Sequence, residues 1–238
     1  MKKSILIGGL LFSIVIGIIY GVFFRHSADA PAPLPPVVSA KPVEYFEGVI
    51  TFEDTYTSSN PDVNIAAVNT QYGTKSEFYF KNGNYKQIYN GSVLKSLLFN
   101  SKDNRSYVQS SVTDTLFYMD CSESNEIIVS SELSKDKETV LGRSCSVLSV
   151  IANDLLGKPS RISTYYFDES MSINPEWYEN VRFSSYDKLY AIMKSLPIKT
   201  IHETEHYTVT SVAVSVKKQA IDSSVFQLPH GVVTMKKR

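Results

Sequence analysis

The sequence predicts a mainly β, α+β domain built on a large antiparallel sheet and preceded by one N-terminal apolar helix. Three observations predict it. Fifteen tyrosines and twelve phenylalanines, with frequent valine and threonine, suit pleated, half-buried surfaces better than helices. The runs Ser76–Phe80 and Tyr85–Tyr89 flank Lys81-Asn82-Gly83-Asn84, and Asn-Gly between alternating runs is a strong hairpin signal. Residues 5–24 are uncharged, a run that spans about 30 Å as a helix, the thickness of a bilayer's hydrocarbon core.

The basic pair Lys2-Lys3 before this run stays in the cytoplasm by the positive-inside rule, so the chain after Arg25 is exported. Ala28-Asp29-Ala30 offers the small-x-small pattern of a signal-peptidase site. The length of the apolar run and the Arg25-His26 pair behind it favour a retained anchor over cleavage near Ala30. We therefore expect residues 1–25 to be a transmembrane anchor in the inner membrane, with a periplasmic domain. The alternative is a protein secreted to the periplasm. Residues 26–43 contain APAPLPPVVSAKP, whose prolines favour a semi-rigid extended spacer. Residues 44–231 form the expected domain, and residues 232–238 a basic tail. Twenty-four lysines and arginines balance twenty-four aspartates and glutamates, so no basic surplus points to nucleic acid.

Within the domain, Phe46, Gly48, Ile50 and Phe52 fall on one face of a first strand. Further strands are expected at Val93–Phe99, Ser106–Ser110, Leu116–Asp120, Ile127–Ser130, Ser146–Ile151, Ile162–Phe167 and Tyr207–Lys217. Two stretches carry helical signals instead. One has Asn60 as cap, Pro61 at the first helical position and Gly73 as stop. The other spaces Tyr186, Leu189, Tyr190, Met193 and Leu196 along one helical face, with Ser184 or Ser185 before it and Pro197 beyond. Both helices are expected on one face of the sheet.

No catalytic constellation emerges, and we expect no enzyme, cofactor or metal. His202-Glu203-Thr204-Glu205-His206 matches the HExxH pattern of zinc metallopeptidases, which needs a helix to bring both histidines to one metal. Here the flanks are β-branched, and on a strand the two histidines would lie about 13 Å apart. A metallopeptidase is thus the remote alternative. The two cysteines, Cys121 and Cys145, follow the export signal, where an oxidising compartment lets them pair. A disulfide is expected, with two buried free thiols as the alternative.

Three stretches carry a resemblance. Glu138-Thr139-Val140-Leu141-Gly142-Arg143-Ser144-Cys145 resembles the E-T-x-L-G-x-x-C segment of bacterial envelope proteins of unknown function related to the LolA-like superfamily and the GLPGLI proteins. Ile221-Asp222-Ser223-Ser224-Val225-Phe226-Gln227-Leu228-Pro229 resembles that group's closing x-D-x-S-x-F-x-x-P, and Leu196-Pro197-Ile198 its central L-P-hydrophobic element. The similarity covers residues 46 to 230. It implies an incomplete antiparallel β-barrel with helices packed on its concave face, and an apolar concavity that binds a lipid, acyl chain or lipoprotein. Phe78, Phe80, Leu97, Phe99, Tyr166, Leu189 and Met193 are the residues expected to line it, each being also a plausible core residue. The other reading is a structural or protein-interaction module of the envelope with a filled core.

Overall fold

In the computed structural model, Asn82 and Gly83 both adopt positive φ, 47° and 76°, the requirement of the two-residue turn that matches strand twist. They join β2 (Lys75–Lys81) to β3 (Asn84–Tyr89) after β1 (Gly48–Thr57). The structure describes residues 43–229 and 233–236, all within the unit Val43–Arg238. The expected anchor and most of the proline-rich spacer lie outside the described residues. Among those described, no helix is long and apolar enough to cross a membrane.

The remaining strands are β4 (Leu94–Asn100), β5 (Arg105–Ser110), β6 (Leu116–Asp120), β7 (Glu126–Leu133), β8 (Glu138–Val140), β9 (Arg143–Asp154), β10 (Pro159–Ser172), β11 (Ser195–Glu203), β12 (Thr208–Lys218) and β13 (Thr234–Lys236). They form one open sheet in the order β13-β6-β5-β4-β3-β2-β1-β12-β11-β10-β9-β7, with β8 paired to β9. The pairings are antiparallel except for the parallel β13–β6 pair. Register shifts at Thr51/Phe52 in β1 and Tyr166/Phe167 in β10 bend the strands locally, as bulges do. At the β1–β12 seam the backbones come so close that a Cβ on Gly48 would lie 2.0 Å from the Lys217 carbonyl oxygen.

Two hydrophobic clusters hold the sheet. The larger includes Phe46, Ile50 and Phe52, the face of the first strand expected from the sequence, which is the concave one. The smaller joins Val49, Leu98 and Tyr107 to Ile221 and Phe226 of the C-terminal segment. Val49 alternates with Ile50 on β1, so this second cluster sits on the convex side. The resembling C-terminal stretch thus acts as a strap. Asp222 caps the 3-10 turn Ser223–Phe226 by accepting from the Ser224 amide at 2.8 Å. Glu47 accepts from the Ile221 amide at 2.6 Å, and Lys81 donates to the Ile221 carbonyl at 2.7 Å. The E-T-x-L-G-x-x-C stretch is a hairpin, β8 to β9, turning at Leu141 and Gly142 with φ of 51° and 70°.

Both helices form, with shifted ends. Helix α1 (Ile65–Tyr72) is capped by Asn64, whose Oδ1 accepts from the Ala67 amide at 3.1 Å, and ends at Gly73 with φ 86°. Asn60 instead folds its own turn, accepting from the Asp62 amide at 2.9 Å. Helix α2 (Tyr186–Met193) stops at Lys194, whose left-handed φ of 50° reverses the chain. Leu196 and Pro197 therefore belong to β11, a strand that the helical spacing had concealed. Pro197 is placed opposite Phe167 where the β10–β11 register shifts, a position that tolerates its missing N–H.

The expected disulfide is absent: Cys121 and Cys145 are free and buried. The sheet order explains it. Cys121 immediately follows β6 near one edge, whereas Cys145 lies in β9 near the other. Burial pushes the Cys121 thiol up to about 12 and raises that of Cys145, so neither is a reactive thiolate at neutral pH.

Candidate functional site

A cavity of about 350 Å³ opens between the sheet and α2. Its walls draw on β4, β3, β2, β1, β12, β11 and β10, neighbours in the sheet order, which requires the sheet to curl around it. Along β1 the alternate residues Phe52, Asp54 and Tyr56 all face inward. From α2, Tyr186, Leu189, Tyr190 and Met193 face the same space, at the i, i+3, i+4, i+7 positions of one helical stripe.

Four of the seven expected lining residues, Phe78, Leu97, Leu189 and Met193, meet on this wall. The other three do not line it. Phe80 is fully buried between Phe46, Phe78 and Trp177. Phe99 stacks between Tyr85 and Tyr178, with ring centroids 5.3 and 5.7 Å away. Tyr166 lies beneath the Lys199 ammonium, 4.1 Å from its ring centroid, because its neighbour Tyr165 takes the cavity face of β10. Phe80 and Phe99 close one end of the concavity with the 3-10 turn Pro175–Tyr178. There Tyr178 donates to the Gly83 carbonyl at 3.1 Å, and its ring lies 4.3 Å from that of Tyr190 on α2.

The cavity also carries polar residues that the apolar patterning does not point to, Asp54, Gln87 and Ser211, together with His202 and a set of tyrosines. A signal for Asp54 was present. Continuing the inward alternation Ile50, Phe52 by two residues places a carboxyl on the apolar face. Asp54 is 7% exposed, and burial raises its carboxyl above the ordinary range despite nearby Ser211 and Ser76 hydroxyls. Its Oδ1 has no hydrogen-bond partner. Gln87 donates to Ser76 Oγ at 2.9 Å.

A buried ion pair stands behind the β10 wall. Arg161 of β10 donates from Nε to Glu126 Oε2 at 2.9 Å and from Nη2 to Glu126 Oε1. Its Nη1 reaches Ser163 at 2.7 Å and the Tyr165 hydroxyl at 2.6 Å, and its Nη2 the Ser184 carbonyl at 3.2 Å. The guanidinium is thereby satisfied at every N–H and ties β7, β10 and the approach to α2 together. Burial disfavours its charge, but the Glu126 carboxylate and Tyr165 hold its pKa above the ordinary value.

His202 caps this network. Its Nδ1 lies 2.8 Å from Ser163 Oγ, and its ring meets Tyr165 edge-on at 5.5 Å. Burial first, then the Arg161 charge, push its pKa down to about 4, leaving it neutral at pH 7. Ser163 is fully buried and its oxygen accepts from Arg161, so this serine–histidine pair does not present a nucleophile to the cavity. The HExxH match is divided between structures. His202 and Glu203 end β11, whereas Glu205 and His206 lie in the turn to β12. The helical face that a single zinc requires is not formed. Among the described residues, no group of three or more histidine, cysteine or acidic side chains is arranged to hold a metal.

No family model and no characterised protein matches the chain in sequence. Among solved structures, the chain is similar to the lipoprotein LppX of Mycobacterium tuberculosis. The identity is 8% and the TM-score 0.34, over 74% of this chain and 89% of that one. At that level the likeness assigns no ligand to this chain.

Proposed function

We propose that the domain is a non-catalytic module that binds a hydrophobic ligand, such as a lipid, acyl chain or lipoprotein acyl group, in the cavity against α2. Residues 5–24 hold it at the inner membrane, with the domain in the periplasm. The observation supporting this reading is the cavity itself. Its volume of about 350 Å³ falls within the roughly 300–1,000 Å³ of small-molecule sites. Its inner wall of Phe52, Phe78, Leu97, Leu189 and Met193 suits a chain whose burial contributes about 0.8 kcal/mol per CH₂ without specific polar partners. A structural module would have filled this space with its own side chains, as Phe80, Phe99 and Tyr178 fill the closed end. The anchor makes the module a stationary receptor or sensor, since a shuttle must leave the membrane.

Native mass spectrometry of the full chain released from detergent micelles tests this. Wild-type protein is expected to retain an apolar adduct of a few hundred daltons, and Val209→Trp, which fills the cavity from β12, to lose it. Equal adducts on both proteins, or none on either, contradict the binding reading.

A further inference from the structure

The two ends of the cavity differ in chemistry. The inner end is mostly apolar and deeply buried, with Phe52, Tyr85, Leu189, Tyr190, Met193 and Leu196 at 7% exposure or less. The outer end is built from half-buried tyrosines around one carboxyl. Tyr56 stacks on Tyr72 with centroids 6.3 Å apart and meets Tyr207 edge-on at 5.8 Å. Asp54 precedes Tyr56 by two residues on β1, so both side chains face the same space. Tyr89 lines this end from β3, within the field of the Asp54 carboxylate.

The orphaned Asp54 oxygen is the telling feature. Buried carboxylates are ordinarily paired or fully hydrogen-bonded. Among the described residues Asp54 has no ion pair, and no lysine or arginine lines the cavity. Nearby cations are engaged elsewhere: Lys75 pairs with Glu53 at 3.1 Å, and Arg161 is held by Glu126. His202, the remaining basic group of the lining, is neutral at pH 7. A carboxyl held without a countercharge among electron-rich ring faces matches what an ammonium requires. The carboxylate supplies the opposite charge and an open acceptor, and the rings supply cation–π faces.

We propose that the outer end is an ammonium receptor, so that the ligand is an amphiphile whose amine-bearing head sits against Asp54 and Tyr56 while its chain runs to the inner end. This rests on the reading that the cavity takes an apolar ligand. A carboxylate head would face Asp54 with no cation to offset the repulsion. A hydroxyl would fill the vacant acceptor but leave the charge unbalanced. The same ammonium chemistry is carried by a simple long-chain amine and by an ethanolamine or choline lipid head.

Diazirine-tailed probes with one chain and different heads separate these outcomes on the full chain in detergent micelles at pH 8. The heads are primary ammonium, trimethylammonium, alcohol, carboxylate and lysophosphatidylethanolamine. Labelling is read on the peptides carrying Leu97 and Met193. Either ammonium probe or the lysolipid is expected to exceed the carboxylate by about tenfold or more, and the stronger of them identifies the source. Asp54→Asn is expected to abolish that preference while alcohol labelling persists, which reports an intact cavity. Tyr56→Leu is the second variant, expected to lower ammonium labelling selectively. Equal labelling by carboxylate and ammonium, or an ammonium preference that survives both variants, overturns the ammonium receptor while leaving apolar binding in place. No cavity labelling by any head overturns both.

Discussion

Replacing Arg161 with methionine is expected to lower the stability of the domain by about 3–5 kcal/mol, the cost of leaving Glu126 charged and unpaired in the interior. Glu126 and Arg161 side chains are only 5% and 14% exposed, so water cannot readily take over for the lost partner. The magnitude is read from the shift of the urea midpoint. The double variant Arg161→Met with Glu126→Leu is expected to recover much of the loss, because a buried ion pair exchanged for packed apolar groups is often close to neutral. Recovery of the fold should not mean recovery of the cavity. Arg161 also holds the Tyr165 hydroxyl and the Ser184 carbonyl, and through them the cavity wall and the approach to α2. The double variant should therefore fold yet retain less ligand than wild type. A double variant as unstable as the single one would show that the network's worth lies in these other bonds.

The second large effect is expected at Gly48. A Cβ there would lie 2.0 Å from the Lys217 carbonyl oxygen and 3.0 Å from the ring of Phe46. The backbone of β12 cannot swing aside as a flexible side chain would, so Gly48→Ala must spread the β1–β12 seam. We expect a loss of about 3 kcal/mol, at the upper end for overpacking. Gly142→Ala provides the contrast. That residue has φ 70° and nothing within 4 Å of its added Cβ, so only the left-handed conformation is penalised, by about 1–2 kcal/mol. Chemical denaturation of both variants checks the order. Because β1 and β12 both line the cavity, Gly48→Ala should also weaken ligand retention, whereas Gly142→Ala, in the distant β8–β9 turn, should not.

The parts of the fold legible in the sequence were those encoded locally. Asn82-Gly83 specified a turn whose geometry depends on two residues, and the alternation Phe46, Ile50, Phe52 identified the concave face of the first strand. The stripe Leu189, Met193 located the helix that floors the cavity. What escaped was encoded in distant pairings. Whether Cys121 could meet Cys145 depended on the order of strands across the sheet, which neither cysteine's neighbours reveal. Leu196 continued a helical spacing, but the left-handed Lys194 ended the helix before it. Of the aromatic residues expected in the cavity, Phe80 and Phe99 share an alternation with residues that do line it. Their exclusion follows from Trp177 and Tyr178, which arrive from a distant turn to cover them. Asp54 stood at an inward position of a readable strand, yet its isolation became visible only once the cations around it were seen to be paired with other groups.

The space between the curled sheet and α2 is expected to hold an apolar molecule. Photo-crosslinking in the membranes of the producing cell tests it most directly, with p-benzoylphenylalanine at Leu97, on the cavity wall, or at Val214, which is 45% exposed. Illumination is expected to add a small apolar molecule to the full chain from position 97 and none from position 214. Links from position 97 only to the protein's own residues would contradict the account and leave a filled structural module in its place.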